Sequence, residues 1–160
     1  MNKSRVIKTI TKMLEQRFDT AATAARQAYE AATDKESVAE NKYDTFGLEA
    51  SYLAHGQSQR VLDCENDLKR FLGMEFKSFQ ADDPIAMGAL VGLIDDAGKS
   101  LTCFISPCAG GQTFKGEGIS GMLITPSSPL GKSIIGSLLE DEIKVSIGGD
   151  EKFYEITSLE

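Results

Sequence analysis

The sequence contains few of the residues that enzymes most often use for chemistry. Its 160 residues include no tryptophan and a single histidine, His55. A serine–histidine or histidine–metal site could therefore draw on one histidine at most. The three cysteines, Cys64, Cys103 and Cys108, form no C-x-x-C pair. They do not suggest a disulfide framework, and they are too few for a cysteine-based zinc site. We therefore expect no catalytic residues of the chain's own and no bound metal.

Long apolar segments and basic residues are also scarce. Apolar runs such as Ala89–Val91 are far too short to cross a bilayer, and the first residues lack the apolar stretch of a signal peptide. With 17 basic against 24 acidic side chains the formal net charge is −7, which disfavours direct phosphate binding. These features predict a soluble cytoplasmic protein, without membrane association, whose partner is another protein rather than free nucleic acid.

Proline and glycine are nearly absent from the first half of the chain. The first 73 residues contain no proline and three of the 15 glycines, whereas the remaining residues hold all 4 prolines. Residues 76–160 are also the acidic part, with 6 basic against 12 acidic side chains. Such a change in composition marks a boundary, which we place near Gly73 to Lys77. The sequence therefore predicts two domains, 1–74 and 75–160.

Two stripes of apolar residues at spacings of three and four run through the first domain. One stripe runs from Ile7 to Ala32 and the other from Phe46 to Phe71, with the charged segment Asp34–Ser37 between them. This spacing is typical of a coiled coil, and two stripes of similar length joined by a short turn predict an antiparallel helical hairpin. The stripe residues are Ile7, Ile10, Leu14, Phe18, Ala21, Ala25, Ala28 and Ala32, and then Phe46, Ala50, Leu53, Val61, Cys64, Leu68 and Phe71, with Gln57 interrupting the second stripe.

The second domain has the short apolar segments and glycine-rich turns of a β-rich fold with one helix. Ser128 and Pro129 suit the N-cap and the first position of a helix that ends near Leu138, and Gly148-Gly149 permits the positive φ of a tight turn. The predicted fold class is α+β, an antiparallel helical hairpin followed by a small β-rich domain. The predicted strands are Ala86–Ile94, Ser100–Ile105, Met122–Thr125, Glu142–Ile147 and Lys152–Leu159.

The turn of the hairpin is the first candidate site because it is rich in acids. Its carboxylates belong to Asp34, Glu36, Glu40 and Asp44. At the end of a helical pair they could present oxygen ligands to a hard cation such as Mg²⁺ in the active site of another protein. The alternative is structural, because Ser37–Glu40 fits the S-x-x-E capping box that begins a second helix.

Two aromatic residues, Tyr43 and Phe46, follow these acids in the sequence. If the capping box begins the second helix, both residues lie in its first turns, close to the hairpin turn. They then either pack across the turn, as aromatics on a helical stripe commonly do, or contact a partner. The sequence leaves both alternatives open.

A pattern near the C-terminus resembles a known family. It begins with SSPLGKSIIG at Ser127–Gly136, continues with EDEI at Glu140–Ile143, and closes with the Gly148-Gly149 turn and YEI at Tyr154–Ile156. The segment ENKYD at Glu40–Asp44 adds a match in the hairpin. Together these motifs are similar to those of the Gre-type transcription elongation factors.

The resemblance implies an FKBP-like C-terminal domain that docks on RNA polymerase near its secondary channel, with Ser128, Pro129, Leu130 and Gly131 as docking residues. It also implies that the coiled coil enters the channel and brings the acids of the hairpin turn to the Mg²⁺ of the polymerase. The protein is then a monomeric accessory factor with no cofactor, because the metal belongs to the polymerase. It meets nucleic acid only within that complex.

In the cleavage-stimulating members of that family, two acids three residues apart hold a second metal ion and activate water for hydrolysis of backtracked RNA. The matching positions here are Ser37 and Glu40, so Glu40 fits, Ser37 replaces the first acid, and Glu36 is adjacent. The N-terminal motif of the cleavage factors is not evident in Asn2–Gln16. The resemblance therefore implies a regulator of transcription elongation that either stimulates transcript cleavage or occupies the channel and modulates or inhibits the polymerase.

Two other functions are compatible with the sequence. An FKBP-like module can be a peptidyl-prolyl isomerase, although a fold does not determine a function and the sequence shows no aromatic-lined pocket. A coiled coil can also serve as a structural or oligomerisation element.

Overall fold

The computed structural model describes residues 2–116 and 118–160, apart from the side chains of Ser37 and Ile147. Within these residues the chain forms three helices, six strands and one short 3₁₀ turn between the two long helices. The helices are α1 (Lys3–Thr33), α2 (Phe46–Leu72) and α3 (Pro129–Ile134), and the 3₁₀ turn is Lys35–Ser37. The strands are β1 (Leu90–Asp95), β2 (Ser100–Ile105), β3 (Thr113–Gly116), β4 (Ile119–Ile124), β5 (Glu142–Ile147) and β6 (Asp150–Leu159).

The chain divides into two compact units. One consists of Met1–Ile10 together with Arg70–Glu160, and the other of Thr11–Lys69. Residues of both long helices therefore occur in each unit. The predicted domains, 1–74 and 75–160, divide the chain by its composition, and that division stays a prediction.

Helices α1 and α2 form the predicted antiparallel hairpin in the unit Thr11–Lys69. The guanidinium of Arg17 lies 3.2 Å from the carboxylate of Asp67, so an early residue of this part of α1 is paired with a late residue of α2. The buried side chains follow a seven-residue repeat, as expected for a coiled-coil seam. They are Leu14, Ala21 and Ala28 on α1, and Ala50 and Cys64 on α2.

The predicted stripe of α2 is wrong at two positions. Phe46 and Leu53 are 59% and 55% exposed, whereas Ala54 and Gln57 are half-buried. The inward-facing residues of α2 keep the spacing of three and four, but they include Ala54 and Gln57 in place of the larger apolar residue Leu53. Selecting residues by hydrophobicity alone therefore misplaces this part of the seam. The inward positions are Ala50, Ala54, Gln57, Val61, Cys64 and Leu68.

The strands form one six-stranded sheet in the order β3-β4-β2-β1-β6-β5. Neighbouring strands are antiparallel except for β2 and β4, which are parallel. The predicted terminal hairpin is confirmed, because β5 pairs with β6 up to the pair Ile147 and Asp150. The turn residues Gly148 and Gly149 have φ angles of 62° and 95°, the left-handed region that glycine adopts without steric cost.

Some predicted strand limits are wrong. Strand β1 begins at Leu90 rather than Ala86, because residues 86–89 form a turn in which the N–H of Ala89 donates to the carbonyl of Ala86 at 3.1 Å. Strand β4 begins at Ile119 rather than Met122, because its first residues pair with β3. The sequence did not predict β3, which is only 4 residues long and too short to show a periodic pattern.

Helix α3 is shorter than predicted. It ends at Ile134 rather than Leu138. Gly136 has a φ of 85°, which an α-helix does not accommodate, and its N–H donates to the carbonyl of Ile85 instead of continuing the helix. The chain leaves α3 at this point and contacts the segment that precedes β1.

Apolar residues are buried on both faces of the sheet. On one face Leu90 and Phe104 stand opposite each other on β1 and β2, and the ring of Phe71 lies 5.7 Å from that of Phe104. The other face of the sheet packs against α3, and the residues between them form the main core of the unit that contains Arg70–Glu160. That core contains Ile85, Ala89, Val91, Leu93, Cys103, Ile105, Ile124, Ile134, Ile143, Val145 and Ile156.

The predicted fold class, a helical hairpin followed by a β-rich domain with one short helix, is confirmed. The helices within residues 2–116 and 118–160 include none that is both long and apolar enough to cross a membrane.

Candidate functional site

The candidate site is the loop between α1 and α2, and its course differs from the sequence prediction. Helix α2 begins at Phe46, so the capping-box interpretation of Ser37–Glu40 is wrong and Glu40 lies in the loop before the helix. The reason is a competing turn at Asn41. The Oδ1 of Asn41 accepts the N–H of Tyr43 at 2.8 Å, and its carbonyl accepts the N–H of Asp44 at 3.1 Å.

Two of the four loop acids, Asp34 and Asp44, hold the backbone of the loop. Asp34 caps the 3₁₀ turn, because its Oδ1 accepts the N–H of Glu36 at 3.0 Å. The two carboxylate oxygens of Asp44 accept the N–H groups of Glu40 and Phe46, each at 3.2 Å. The second of these is the first N–H of α2, which has no partner within the helix.

The other two loop acids, Glu36 and Glu40, are exposed. Within the part of the chain that the structure describes, their carboxylates make no hydrogen bond or ion pair. The side chain of Ser37, the position matching the first acid of the cleavage factors, lies outside the described residues. Glu36 and Glu40 are therefore the loop acids whose oxygens are available to a ligand.

Large apolar side chains are exposed in the same loop. Tyr43 is 79% exposed, Phe46 59% and Val38 68%. The interpretation that Tyr43 and Phe46 pack across the turn is wrong, because the late start of α2 leaves Tyr43 in the loop and Phe46 at the first helical position. The Nζ of Lys42 lies 4.9 Å from the centroid of the Tyr43 ring. That these aromatics contact a partner stays a prediction.

The described side chains of the loop do not form a cluster of metal ligands. Among residues 2–116 and 118–160, no group of three or more His, Cys, Asp or Glu side chains is placed to hold a metal ion. A hard cation takes several oxygen ligands, of which the exposed loop carboxylates can supply one or two.

Three of the four predicted docking residues, which lie at the start of α3, have structural roles. The predicted N-cap is confirmed, because the Oγ of Ser128 accepts the N–H of Gly131 at 3.0 Å and donates to the carbonyl of Thr125 at 2.8 Å. A Cβ at Gly131 would lie 2.0 Å from that same carbonyl oxygen, so the turn requires glycine. Leu130 packs against the main core. Pro129 is exposed, and docking through this segment stays a prediction.

Sequence reasoning missed that Asn41 and Asp44 shape the loop. Both residue types accept hydrogen bonds from backbone N–H groups two residues further on, which favours turns and helix starts. The signal was therefore present in the sequence, but the S-x-x-E pattern placed the helix start too early.

Comparison with known proteins gives relatives by sequence and by structure. The transcription elongation factor GreA of Zymomonas mobilis is 34% identical over 106 residues, which are 66% of this chain and 63% of that protein. GreA of Sphingopyxis alaskensis is 33% identical over 106 residues, with the same coverage of 66% and 63%. The match thus spans less than two thirds of the length of these relatives. No family model matches the chain.

The crystal structure of GreA factor homolog 1 of Thermus thermophilus is 17% identical, with a TM-score of 0.40 and coverage of 94% of both chains. The two sequence similarities confirm the resemblance that the C-terminal motifs predicted.

Proposed function

We propose that this relative of the Gre-type transcription elongation factors regulates transcription by binding RNA polymerase. Residues 75–160 dock on the polymerase, and the loop between α1 and α2 enters the secondary channel that leads to the catalytic Mg²⁺. The observation that carries the proposal is the exposure of the Glu36 and Glu40 carboxylates, which have no partner among the described residues. The sequence similarity to proteins named transcription elongation factor GreA supports it.

The chemistry of the loop in the channel is that of carboxylate oxygen and a hard cation. Glu40 supplies one oxygen ligand to the Mg²⁺ of the polymerase. If Glu36 supplies a second, the pair holds a second metal ion and stimulates cleavage of backtracked RNA. If Glu36 does not reach the metal, the loop occupies the channel and slows or inhibits the polymerase. The protein brings no cofactor of its own, and it acts as an accessory factor rather than as an enzyme.

Charge supports a protein partner. The formal net charge is −7, so nucleic acid is met only within the polymerase complex. The exposed Tyr43 and Phe46 suit contact with a protein surface, since exposed aromatics are enriched at interfaces. The factor acts as a monomer in the cytoplasm, where the polymerase works.

The test is a pull-down with core RNA polymerase from the protein's own organism at low salt, followed by an RNA cleavage assay on a backtracked complex. We expect the polymerase to be retained, and the rate of cleavage or of elongation to change when the protein is added. A pull-down that recovers no polymerase contradicts the proposal. A double variant, Glu36→Gln with Glu40→Gln, is the matched control, which we expect to bind the polymerase without stimulating RNA cleavage.

A further inference from the structure

A single side chain connects the exposed acid Glu40 to the first residue of α2. The Oδ2 of Asp44 accepts the N–H of Glu40 at 3.2 Å, and the Oδ1 of Asp44 accepts the N–H of Phe46 at 3.2 Å. Asp44 is half-buried, whereas Asp34, Glu36 and Glu40 are exposed. Among the described loop acids, Asp44 is the one whose side chain accepts hydrogen bonds both from a preceding residue and from a following residue.

We propose that Asp44 is a positioning residue for Glu40 and does not itself bind the metal. This inference rests on the proposed function, in which Glu40 offers its carboxylate to the polymerase Mg²⁺. Both oxygens of Asp44 already accept backbone N–H groups that shape the loop, so only their remaining lone pairs are open to a metal, whereas the carboxylate of Glu40 has no partner among the described residues. The sequence predicted Asp44 as one of the acids that act on the metal, and the geometry gives it this different role.

Asp44 matters in this proposal because the carboxylate of Glu40 must be oriented toward the metal. A flexible loop adopts many conformations. If the carboxylate reaches the metal in only a fraction of them, its apparent affinity for the metal is reduced by that fraction. Hydrogen bonds to an ionised carboxylate are stronger than neutral ones, so Asp44 restricts the backbone at Glu40 more firmly than an uncharged acceptor would. The N–H of Phe46 fixes the other end of this connection to the helix.

The chain allows a graded set of variants. Asparagine has one acceptor oxygen and an NH₂ group that only donates, so Asp44→Asn keeps at most one of the two bonds through its oxygen. Asp44→Ala keeps neither. Thr45→Val is the matched control, because it removes a hydrogen bond of the same loop, from the Thr45 hydroxyl to the Oε1 of Glu49 at 2.7 Å, without touching Glu40.

The first experiment needs no polymerase. Amide hydrogen exchange is measured by NMR in the full chain and in the three variants. We expect the exchange of the Glu40 N–H to accelerate about tenfold in Asp44→Ala, because the bond that protects it is lost. The N–H of Tyr43, held by Asn41, should change little. Unchanged exchange at Glu40 in Asp44→Ala overturns the proposed hydrogen-bonding role.

The second experiment titrates each variant into a transcription assay with RNA polymerase and separates the size of the effect from the concentration that gives half of it. For Asp44→Ala we expect the size of the effect to fall about tenfold and the half-maximal concentration to stay within about twofold, because orientation is lost and docking is kept. Asp44→Asn should fall between Asp44→Ala and the unaltered protein, and Thr45→Val should match the unaltered protein.

The outcomes separate the two proposals. An active unaltered protein with an equally active Asp44→Ala overturns the positioning role alone. A shift only in the half-maximal concentration, or an equal loss in Thr45→Val, also overturns it, because each indicates a general effect on the loop. An unaltered protein without any effect on the polymerase overturns the proposed function, and the role of Asp44 with it.

Discussion

At the scale of single residues, side-chain length separates the four loop acids into two kinds. The carboxylates of Asp34 and Asp44 accept backbone N–H groups of the loop, whereas those of Glu36 and Glu40 extend into solvent. Aspartate carries its carboxylate close enough to the backbone to bond N–H groups nearby in sequence, and the longer glutamate side chain favours this less. The composition of the loop predicts an acidic site, but only the hydrogen bonds show which acids remain available.

The proposed metal contact makes a prediction for Glu40. If the loop acts on the metal, Glu40→Ala should abolish the stimulation of RNA cleavage while polymerase binding stays within about twofold, because the residue then contributes to the reaction and not to docking. The free energy of unfolding of the Glu40→Ala protein should differ from that of the unaltered protein by less than about 0.5 kcal/mol, since the side chain is exposed and does not cap α2. Urea denaturation and the transcription assay measure the two effects. A loss of about 1 kcal/mol with normal activity would contradict the metal contact, because it would indicate a structural role for the side chain.

Glu36 provides the comparison for this prediction. If Glu36 replaces the acid missing at Ser37, then Glu36→Ala should lose cleavage stimulation as Glu40→Ala does. A Glu36→Ala variant that behaves as the unaltered protein, beside an inactive Glu40→Ala, indicates that the Glu40 carboxylate acts without Glu36. Full activity in both variants indicates instead that occupation of the channel is the main effect.

At the scale of secondary-structure elements, long patterns were predicted well and short ones were not. The two helical stripes extend over many turns, so their periodicity outweighs local exceptions such as Gln57. The start of α2 was wrong because the turn at Asn41 competes locally with a helix there. Strand β3 was missed because its 4 residues are too few for a periodic signal. Helix α3 was placed correctly at its N-cap, Ser128, where the signal is a specific pair of residues.

The two glycines Gly131 and Gly56 make opposite predictions for the same substitution. Gly131→Ala should lower the free energy of unfolding by about 1–3 kcal/mol, because its Cβ would lie 2.0 Å from the carbonyl oxygen of Thr125. Gly56→Ala should raise it by about 0.5–1 kcal/mol, because no atom beyond its neighbours and the local helix backbone lies within 4 Å of its Cβ position and alanine is the better helix former. Urea denaturation of both variants measures the difference. Equal effects in both would contradict the close approach of α3 to Thr125.

At the scale of the whole molecule, composition was the reliable guide to the fold class. The division between a hairpin poor in glycine and proline and a glycine-rich β domain correctly predicted the fold class, because turns and short strands need glycine where helices do not. The net charge of −7 favoured a protein partner. The family resemblance came from motifs such as Ser128–Gly131, whose residues hold the start of α3 in place. Such motifs report a shared fold more directly than a shared binding surface, which is why the predicted docking residues stay a prediction.

The central claim is that the loop between α1 and α2 reaches the catalytic metal of RNA polymerase. With Fe²⁺ in place of the Mg²⁺ of a polymerase complex, added hydrogen peroxide is reduced at the metal to hydroxyl radical and hydroxide as Fe²⁺ becomes Fe³⁺, and the radicals cleave the protein chains nearest to it. The account predicts cleavage of this chain within residues 34–46, dependent on polymerase and suppressed by excess Mg²⁺. Cleavage confined to residues 75–160, or none above that of the protein alone, contradicts it.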